Sequence, residues 1–315
     1  MNSFDDGQDA KRPRLLGTGL VLLSILVAYP LVGSILMIAV ARGRTIDPDF
    51  RWIDGVVLPW LLAAQAFGQI IVLALPVFWL ARRFSGDRAL GRANLSWLGI
   101  GNPAGLRPVL TAVAGMLLLQ PFLYSLVELQ NLALPLMGEA GREMLRDQAR
   151  LDLFISKIAG GGSMNGFLAA AAVIVLTPAI CEELFFRGFV QKSLSEILSP
   201  AKGVLLTGLV FALFHMEWFN LVPLTLLGWY IGYIYLKSGD LAVPAAAHGT
   251  NNLMALVLLK AQGMMGVLDA DNAASGLLTM WQWWVFVLFS LVVFFLLIRS
   301  LPEKPASNTI PDRQF

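Results

Sequence analysis

The ionisable residues that lie inside apolar stretches of this chain are few, and they are the groups that could perform chemistry. They are Glu182, Glu183, Arg187, His215 and His248, with Glu217 at the edge of one stretch. An ionisable side chain in lipid is costly and by default indicates a functional site. His215 and His248 are also the only histidines in the sequence. These positions therefore define a candidate site.

Helical spacing separates the two adjacent glutamates. Residues four apart share a helix face, whereas neighbours point about 100° apart. Glu183 can therefore pair with Arg187, a contact that relieves the cost of burying its charge. Glu182 points elsewhere and is left available for proton transfer, although the reverse assignment of the two glutamates remains open from spacing alone.

Depth in the membrane brings residues from three apolar stretches together. At about 1.5 Å per helical residue, Glu182 and His215 each lie roughly 18 Å from the same membrane face. By the same count, His248 and Asn252 lie at roughly 10 and 16 Å. A carboxylate can take a proton from water, and a histidine can hold that water directly or through a metal. His248 and Asn252 could donate hydrogen bonds to an oxyanion, so the set predicts a peptide-hydrolysing centre.

The elements that must position these residues are membrane-spanning helices. The chain is 57% hydrophobic and only 14% charged, with a mean hydropathy of +0.69. A lipid core about 30 Å thick needs roughly 20 apolar residues in a helix. Eight stretches fit this length approximately: Leu15–Ala41, Gly55–Ala81, Pro108–Val127, Gly166–Leu194, Gly203–Phe219, Leu221–Leu236, Leu241–Leu259 and Trp281–Ile298. The fold class predicted is therefore an all-α, polytopic transmembrane bundle of about eight spans.

Basic residues and composition divide the chain further. Basic residues are more frequent in alternate connecting segments, which predicts that both termini are cytoplasmic and makes nucleic acid an unexpected partner.

We predict tails at 1–14 and 302–315, three spans in 15–127, an outer loop at 128–163, a catalytic core at 164–260, and a loop with the last span at 261–301. In the outer loop, the spacing of Leu151, Phe154, Ile155 and Ile158 predicts an interfacial helix. An ordinary helix packed on the bundle is the alternative.

Three motifs resemble those of a known protease family. Residues 182–187 read Glu-Glu-Leu-Phe-Phe-Arg, matching EExxxR; Phe211 to His215 matches FxxxH; and His248 to Asn252 matches HxxxN. Each is weak alone, but together and in this order they resemble the CAAX-protease and bacteriocin-processing family. That family includes the type II CAAX prenyl endopeptidase. The resemblance covers about Gly166 to Leu259.

The resemblance implies an intramembrane endopeptidase in a prokaryotic cytoplasmic (inner) membrane. It implies that Glu182 and His215 activate water, and that His248 and Asn252 stabilise the oxyanion. Glu183, Arg187 and Phe211 are implied as supporting residues. The implied partners are the lipid bilayer and a membrane-associated peptide or protein substrate.

The sequence leaves open whether the site binds a metal ion. Members of the family are commonly named metalloproteases, and Glu182, His215 and His248 could ligate zinc. The sequence has no HExxH helix, so a metal-free glutamate mechanism is equally compatible.

Two other functions use the same residues. A buried carboxylate with histidines also marks ion pathways, so a transporter or proton-relay protein is one alternative. A non-catalytic scaffold of the same family is the other. Glu217 is expected to be a polar residue at the membrane edge rather than a metal ligand.

Overall fold

The computed structural model describes residues 13–159, 164–265 and 276–301, with side-chain surroundings omitted for 261–265. Most of the predicted tails and the glycines at 160–162 lie outside these ranges. All regular secondary structure in the described ranges is helical, and seven helices there are long and apolar enough to cross a membrane. The predicted all-helical transmembrane bundle is confirmed.

The helices are numbered in chain order. They are α1 (Leu15–Ala41), α2 (Leu58–Ser85), α3 (Arg92–Trp97), α4 (Leu106–Met137), α5 (Glu139–Ile158), α6 (Met164–Ile197), α7 (Pro200–Phe214), α8 (Trp218–Ser238), α9 (Ala242–Met265) and α10 (Trp281–Arg299). The last turn of α4 and the first turn of α8 are 3₁₀-helical. Of these helices, α3, α5 and α7 are not among the seven candidate spans.

One predicted span is shorter than expected. The stretch Gly203–Phe219 was predicted to cross the membrane, but α7 ends at Phe214. Its 15 residues extend about 22 Å, less than the lipid core. The helix stops because Met216 adopts a left-handed conformation, with φ of 56°. The break between α7 and α8 therefore lies at 215–217 and not at Asn220, where it was predicted.

Glycines allow α7 and α8 to form a close hairpin. A Cβ atom added to Gly228 would lie 2.8 Å from the Cα of Gly208. No side chain can be placed at that distance without moving the backbone. The two helices therefore pack backbone to backbone.

Helices α2 and α6 are interrupted by π-helical turns, which often occur at functional sites. The π segments are Ile70–Ala74 in α2, and Ala172–Leu176 and Leu184–Gln191 in α6. Pro76 and Pro178 closely follow two of them. Proline lacks an N–H, so each removes a hydrogen bond to the carbonyl four residues earlier. In α6 that carbonyl belongs to Ile174.

Helix α5 forms where the outer-loop helix was predicted. Its apolar residues Phe154 and Ile158 pack in a cluster with Trp52 and Leu61, close to the ends of α1 and α2. Its charged half carries ion pairs between neighbouring turns. One face of α5 therefore packs on the bundle, as in the second alternative, and its location at a membrane interface stays a prediction.

Candidate active site

Glu183 is held by a buried network at the centre of the bundle. It lies on α6, is 1% exposed, and its Oε1 accepts from Arg187 Nη1 at 2.8 Å. His248 Nδ1 on α9 lies 2.7 Å from the same oxygen. Arg187 is fully buried and its Nη2 also donates to the carbonyl of Gly228 on α8, at 3.3 Å. The pair predicted from four-residue spacing is thus present, and it joins three helices.

Phe211 is the packing centre of this network. Its ring lies 4.6 Å from the ring of His215 and 5.7 Å from that of His248, measured between centroids. The guanidinium carbon of Arg187 stands 4.7 Å from the centroid of the same ring. A cation over an aromatic face is stabilised by the ring quadrupole. Phe211 therefore contacts both histidines and the arginine, and its supporting role stays a prediction.

Glu182 has surroundings unlike those of its neighbour. It is 6% exposed, and its Oε2 is buried without a hydrogen-bond partner among the described residues. The Nε2 atoms of His215 and His248 each lie 3.9 Å from this oxygen. That distance is too long for a direct hydrogen bond. Two histidine nitrogens, from α9 and from the segment after α7, therefore approach a carboxylate oxygen of α6 without a direct hydrogen bond to it.

The other ring nitrogen of each histidine fixes which proton the ring carries. His215 Nδ1 lies 2.8 Å from the carbonyl oxygen of Phe211, so Nδ1 must be the protonated nitrogen there. His248 Nδ1 faces the Glu183 carboxylate and is protonated for the same reason. These assignments follow from the hydrogen-bond partners. Both Nε2 atoms are therefore left facing Glu182.

The two Glu182–histidine distances are longer than those between the ligands of a tetrahedral zinc ion. Bonds of about 2.1 Å would place the ligand atoms about 3.4 Å apart, whereas Glu182 Oε2 is 3.9 Å from each histidine Nε2. No group of three or more His, Cys, Asp and Glu side chains in the described ranges is placed to hold a metal ion. The ligand set Glu182, His215 and His248 considered from the sequence is thus not assembled in this geometry.

Asn252 contacts α6 rather than the two histidines. Its Nδ2 lies 3.5 Å from the carbonyl of Ile174, in a π-helical segment of α6. Its Oδ1 accepts from Asn251, which in turn accepts from Gln120 of α4. The structure thus places Asn252 at the end of a polar chain that links α4, α9 and α6.

Sequence reasoning missed polar residues from the first two helices. Tyr29 of α1 lies beside Gln65 and Gln69 of α2 and within electrostatic range of Glu182. Its ring is 5.1 Å from that of Phe214, which precedes His215. Gln69 is 3% exposed, and its Oε1 has no partner in the described part of the chain. The available signal was the presence of the uncharged polar residues Tyr29, Gln65 and Gln69 inside two apolar spans.

The turn after α7 leads from the site to the bundle surface. The side chain of His215 is 23% exposed, in contrast to the buried His248. Glu217 accepts a hydrogen bond from Asn220 Nδ2 at 2.9 Å. Burial, and secondarily the negative charge of Glu217, raise the pKa of Asp152 on α5. Glu217 is therefore part of the turn and faces α5.

Fold and site together define the class: a polytopic helical membrane protein with a buried glutamate between two histidines. Residues 164–254, which run from α6 into α9, match the family model described as type II CAAX prenyl endopeptidase Rce1-like. The resemblance predicted from the three motifs is confirmed over this segment, which contains all of them. Because this is a family of CAAX proteases, the match indicates peptidase activity at the level of the family. No curated protein and no solved structure matches the chain.

Proposed function

We propose that this chain is an intramembrane endopeptidase that uses water activated at Glu182 to cut a membrane-associated peptide or protein. The observation that carries the proposal is the convergence at Glu182 Oε2, an unpartnered atom among the described residues that lies 3.9 Å from two histidine Nε2 atoms. Polar atoms more than about 3.5 Å apart can be joined by one bridging water, and we propose such a water here. A water held there touches both a base and a hydrogen-bond acceptor.

In the proposed reaction, Glu182 takes a proton from this water as its oxygen attacks the substrate carbonyl carbon. His215, protonated at Nδ1 by its contact with the Phe211 carbonyl, orients the water through Nε2. The tetrahedral intermediate then collapses, the C–N bond breaks, and Glu182 returns the proton to the leaving amine.

His248 is proposed to stabilise the oxyanion. For this role Nε2 must carry a proton, while Nδ1 is held against the Glu183 carboxylate at 2.7 Å. A preorganised donor aimed at a developing oxyanion is usually the largest single contribution to acyl-transfer catalysis. Asn252 is proposed as a second donor; its present contact with Ile174, at 3.5 Å, is a weak one that a substrate carbonyl could replace.

The proposed substrate is a peptide held at the membrane, since the site is buried among transmembrane helices. The family description names prenyl endopeptidases, so a prenylated peptide is the first substrate to test. We also propose a prokaryotic cytoplasmic membrane with both termini cytoplasmic. A reporter enzyme that is active only outside the cytoplasm can be fused at residue 315. Activity of this fusion would contradict that orientation.

The test uses the purified chain in lipid nanodiscs with quenched fluorescent peptides, with and without a prenyl group. We expect cleavage by wild type and its loss in Glu182→Gln. Glu217→Gln, which removes a carboxylate of the neighbouring turn, is the matched control and should retain activity. Equal cleavage by wild type and Glu182→Gln would refute the proposal. Solute flux in proteoliposomes without cleavage would favour a transporter, and a cellular phenotype unaffected by Glu182→Gln would favour a scaffold.

A further inference from the structure

A groove of about 500 Å³ lies at the end of α2. It begins at Trp79, roughly 15 Å along the helix from Gln69, and is therefore separate from the glutamate site. Trp79, Arg82, Arg83 and Arg88 contribute to its walls. The groove thus combines one large aromatic side chain with three positive charges.

The local fold explains why these charges face one another. Helix α2 ends at Ser85 because Gly86 has a φ of 69° and its N–H bonds to the carbonyl of Arg82. The chain then turns back, which brings Arg88 to the same groove as Arg82 and Arg83. A glycine takes this left-handed conformation without the cost that a Cβ would add.

The one carboxylate in the groove forms no ion pair with its arginines among the described residues and can offset only one of their three charges. Asp87 accepts from the backbone N–H of Arg88 at 2.7 Å and from that of Ala93 at 3.0 Å. The Asp87 carboxylate therefore caps backbone N–H groups of this turn and of the first turn of α3. No ion pair in the described ranges involves Arg82, Arg83 or Arg88.

Three arginines of α5 provide the contrast. Arg142, Arg146 and Arg150 each lie within 3.4 Å of an acidic side chain on the same helix. Three arginines thus form ion pairs on α5, whereas the three arginines of the groove form none among the described residues. The groove arginines are available to an anion from outside the chain.

We propose that this groove binds the phosphate headgroup of an anionic phospholipid. Guanidinium groups match phosphate oxygens with two parallel hydrogen bonds, and basic pockets at the ends of transmembrane helices suit anionic headgroups. Trp79 is 65% exposed and lies about one turn before Arg82, a position typical of side chains at the lipid–water boundary. Lipid is therefore favoured over free phosphate, since the tryptophan and the end of a spanning helix lie where acyl chains approach.

The test titrates the purified full chain with phosphatidylglycerol or phosphatidylcholine and counts bound lipid by native mass spectrometry. The variant Arg82→Gln/Arg83→Gln/Arg88→Gln should bind phosphatidylglycerol at least about tenfold more weakly than wild type. The matched control Arg142→Gln/Arg146→Gln/Arg150→Gln removes the same charge from α5 and should bind as wild type does. Phosphatidylcholine binding should be equal in all three proteins.

Further measurements keep the outcomes distinct. A lysine version of the groove variant retains charge without the guanidinium fork and should bind with intermediate affinity. Inorganic phosphate at millimolar concentration should not displace phosphatidylglycerol; displacement would assign the groove to free phosphate. Equal loss in both glutamine variants, or no loss in the groove variant, would overturn the proposal. Thermal melting of each variant in detergent verifies folding, and none of these readouts depends on peptidase activity.

Discussion

Two regions of the site differ although they meet at adjacent residues of α6. In the support region, Glu183 Oε1 accepts from Arg187 and contacts His248. Arg187 and Gln191, one turn apart, each donate to a carbonyl of α8. In the reaction region, Glu182 Oε2 has no partner in the described part of the chain, and His215 is partly exposed. One region is tied to neighbouring helices and the other is left open to a ligand.

The difference shows how one motif serves two purposes. A rotation of about 100° between neighbours on a helix turns Glu183 toward Arg187 and Glu182 toward the histidines. A buried ion pair fixes side-chain geometry but adds little net stability. A buried carboxylate without such a pair is available for proton transfer. We therefore expect substitutions in the two regions to separate stability from activity.

The largest expected effect is on catalysis in Glu182→Gln. Removing a general base typically lowers the rate by about 10²–10⁴-fold, and we expect a loss in that range. The melting temperature should stay equal or rise, because the variant replaces a buried carboxylate whose Oε2 has no hydrogen-bond partner among the described residues. Peptide cleavage and thermal melting in the same nanodisc preparation measure both quantities.

Glu183→Gln is the matched control, since it makes the same chemical change one residue away. It should lower the melting temperature, because Arg187 loses its only carboxylate partner among the ion pairs of the described residues. If Glu183→Gln loses more activity than Glu182→Gln while remaining as stable as wild type, the roles of the two regions are exchanged. That is the assignment that spacing alone left open.

The next largest expected effect is a loss of stability in Arg187→Met. Removing one partner of a buried pair leaves an uncompensated charge and costs about 3–5 kcal/mol. The double variant Glu183→Gln/Arg187→Met removes both charges and should recover a large part of that loss. Denaturant or thermal unfolding measures the free energy of unfolding of each. A double variant less stable than Arg187→Met would show that the support region does not act as a charge pair.

The sequence was sufficient for the relations that are local in the chain. The Glu183–Arg187 pair follows from helical periodicity, and the approximate positions of most spans follow from runs of apolar residues. The contact between Glu183 and His248 joins residues 65 positions apart, so only common depth could suggest it. The early end of α7 depends on the left-handed Met216, for which the sequence carries no glycine signal.

The polar contribution of α1 and α2 was missed for a different reason. Tyr29, Gln65 and Gln69 are uncharged, and in a chain this apolar they resemble occasional polar residues of a span. Their relation to Glu182 arises from packing between helices far apart in sequence. The match to the family model begins at residue 164, so that comparison does not cover them either.

A smaller effect is expected for Tyr29→Phe, which tests whether the reaction region extends to α1. The hydroxyl lies beside Gln69 and within electrostatic range of Glu182. Loss of one hydrogen bond between uncharged groups corresponds to about 0.5–1.5 kcal/mol, or roughly two- to tenfold in rate. We expect the low end of that range, in kcat rather than KM. Tyr230→Phe, which removes a hydroxyl bonded to Ala112 in the same bundle, is the control and should affect stability alone.

The smallest effect concerns Asp152, which faces the turn beside the reaction region. The Asp152 residue is exposed at the surface of α5, but partial burial of its carboxyl and, secondarily, the charge of Glu217 raise its pKa. A carboxyl whose pKa is higher in the folded state than in the unfolded state contributes stability at acidic pH, and this contribution is lost as pH rises through the folded-state pKa. Asp152→Asn should therefore melt higher than wild type at pH 7, and the difference should shrink toward pH 3. Asp147→Asn on the same helix removes an ion pair with Arg150 and should have the opposite sign at pH 7. If both variants change the melting temperature at pH 7 by the same amount and in the same direction, the prediction is contradicted. The Asp152 carboxylate would then be stabilised by its surroundings as well as the Asp147 carboxylate is by Arg150.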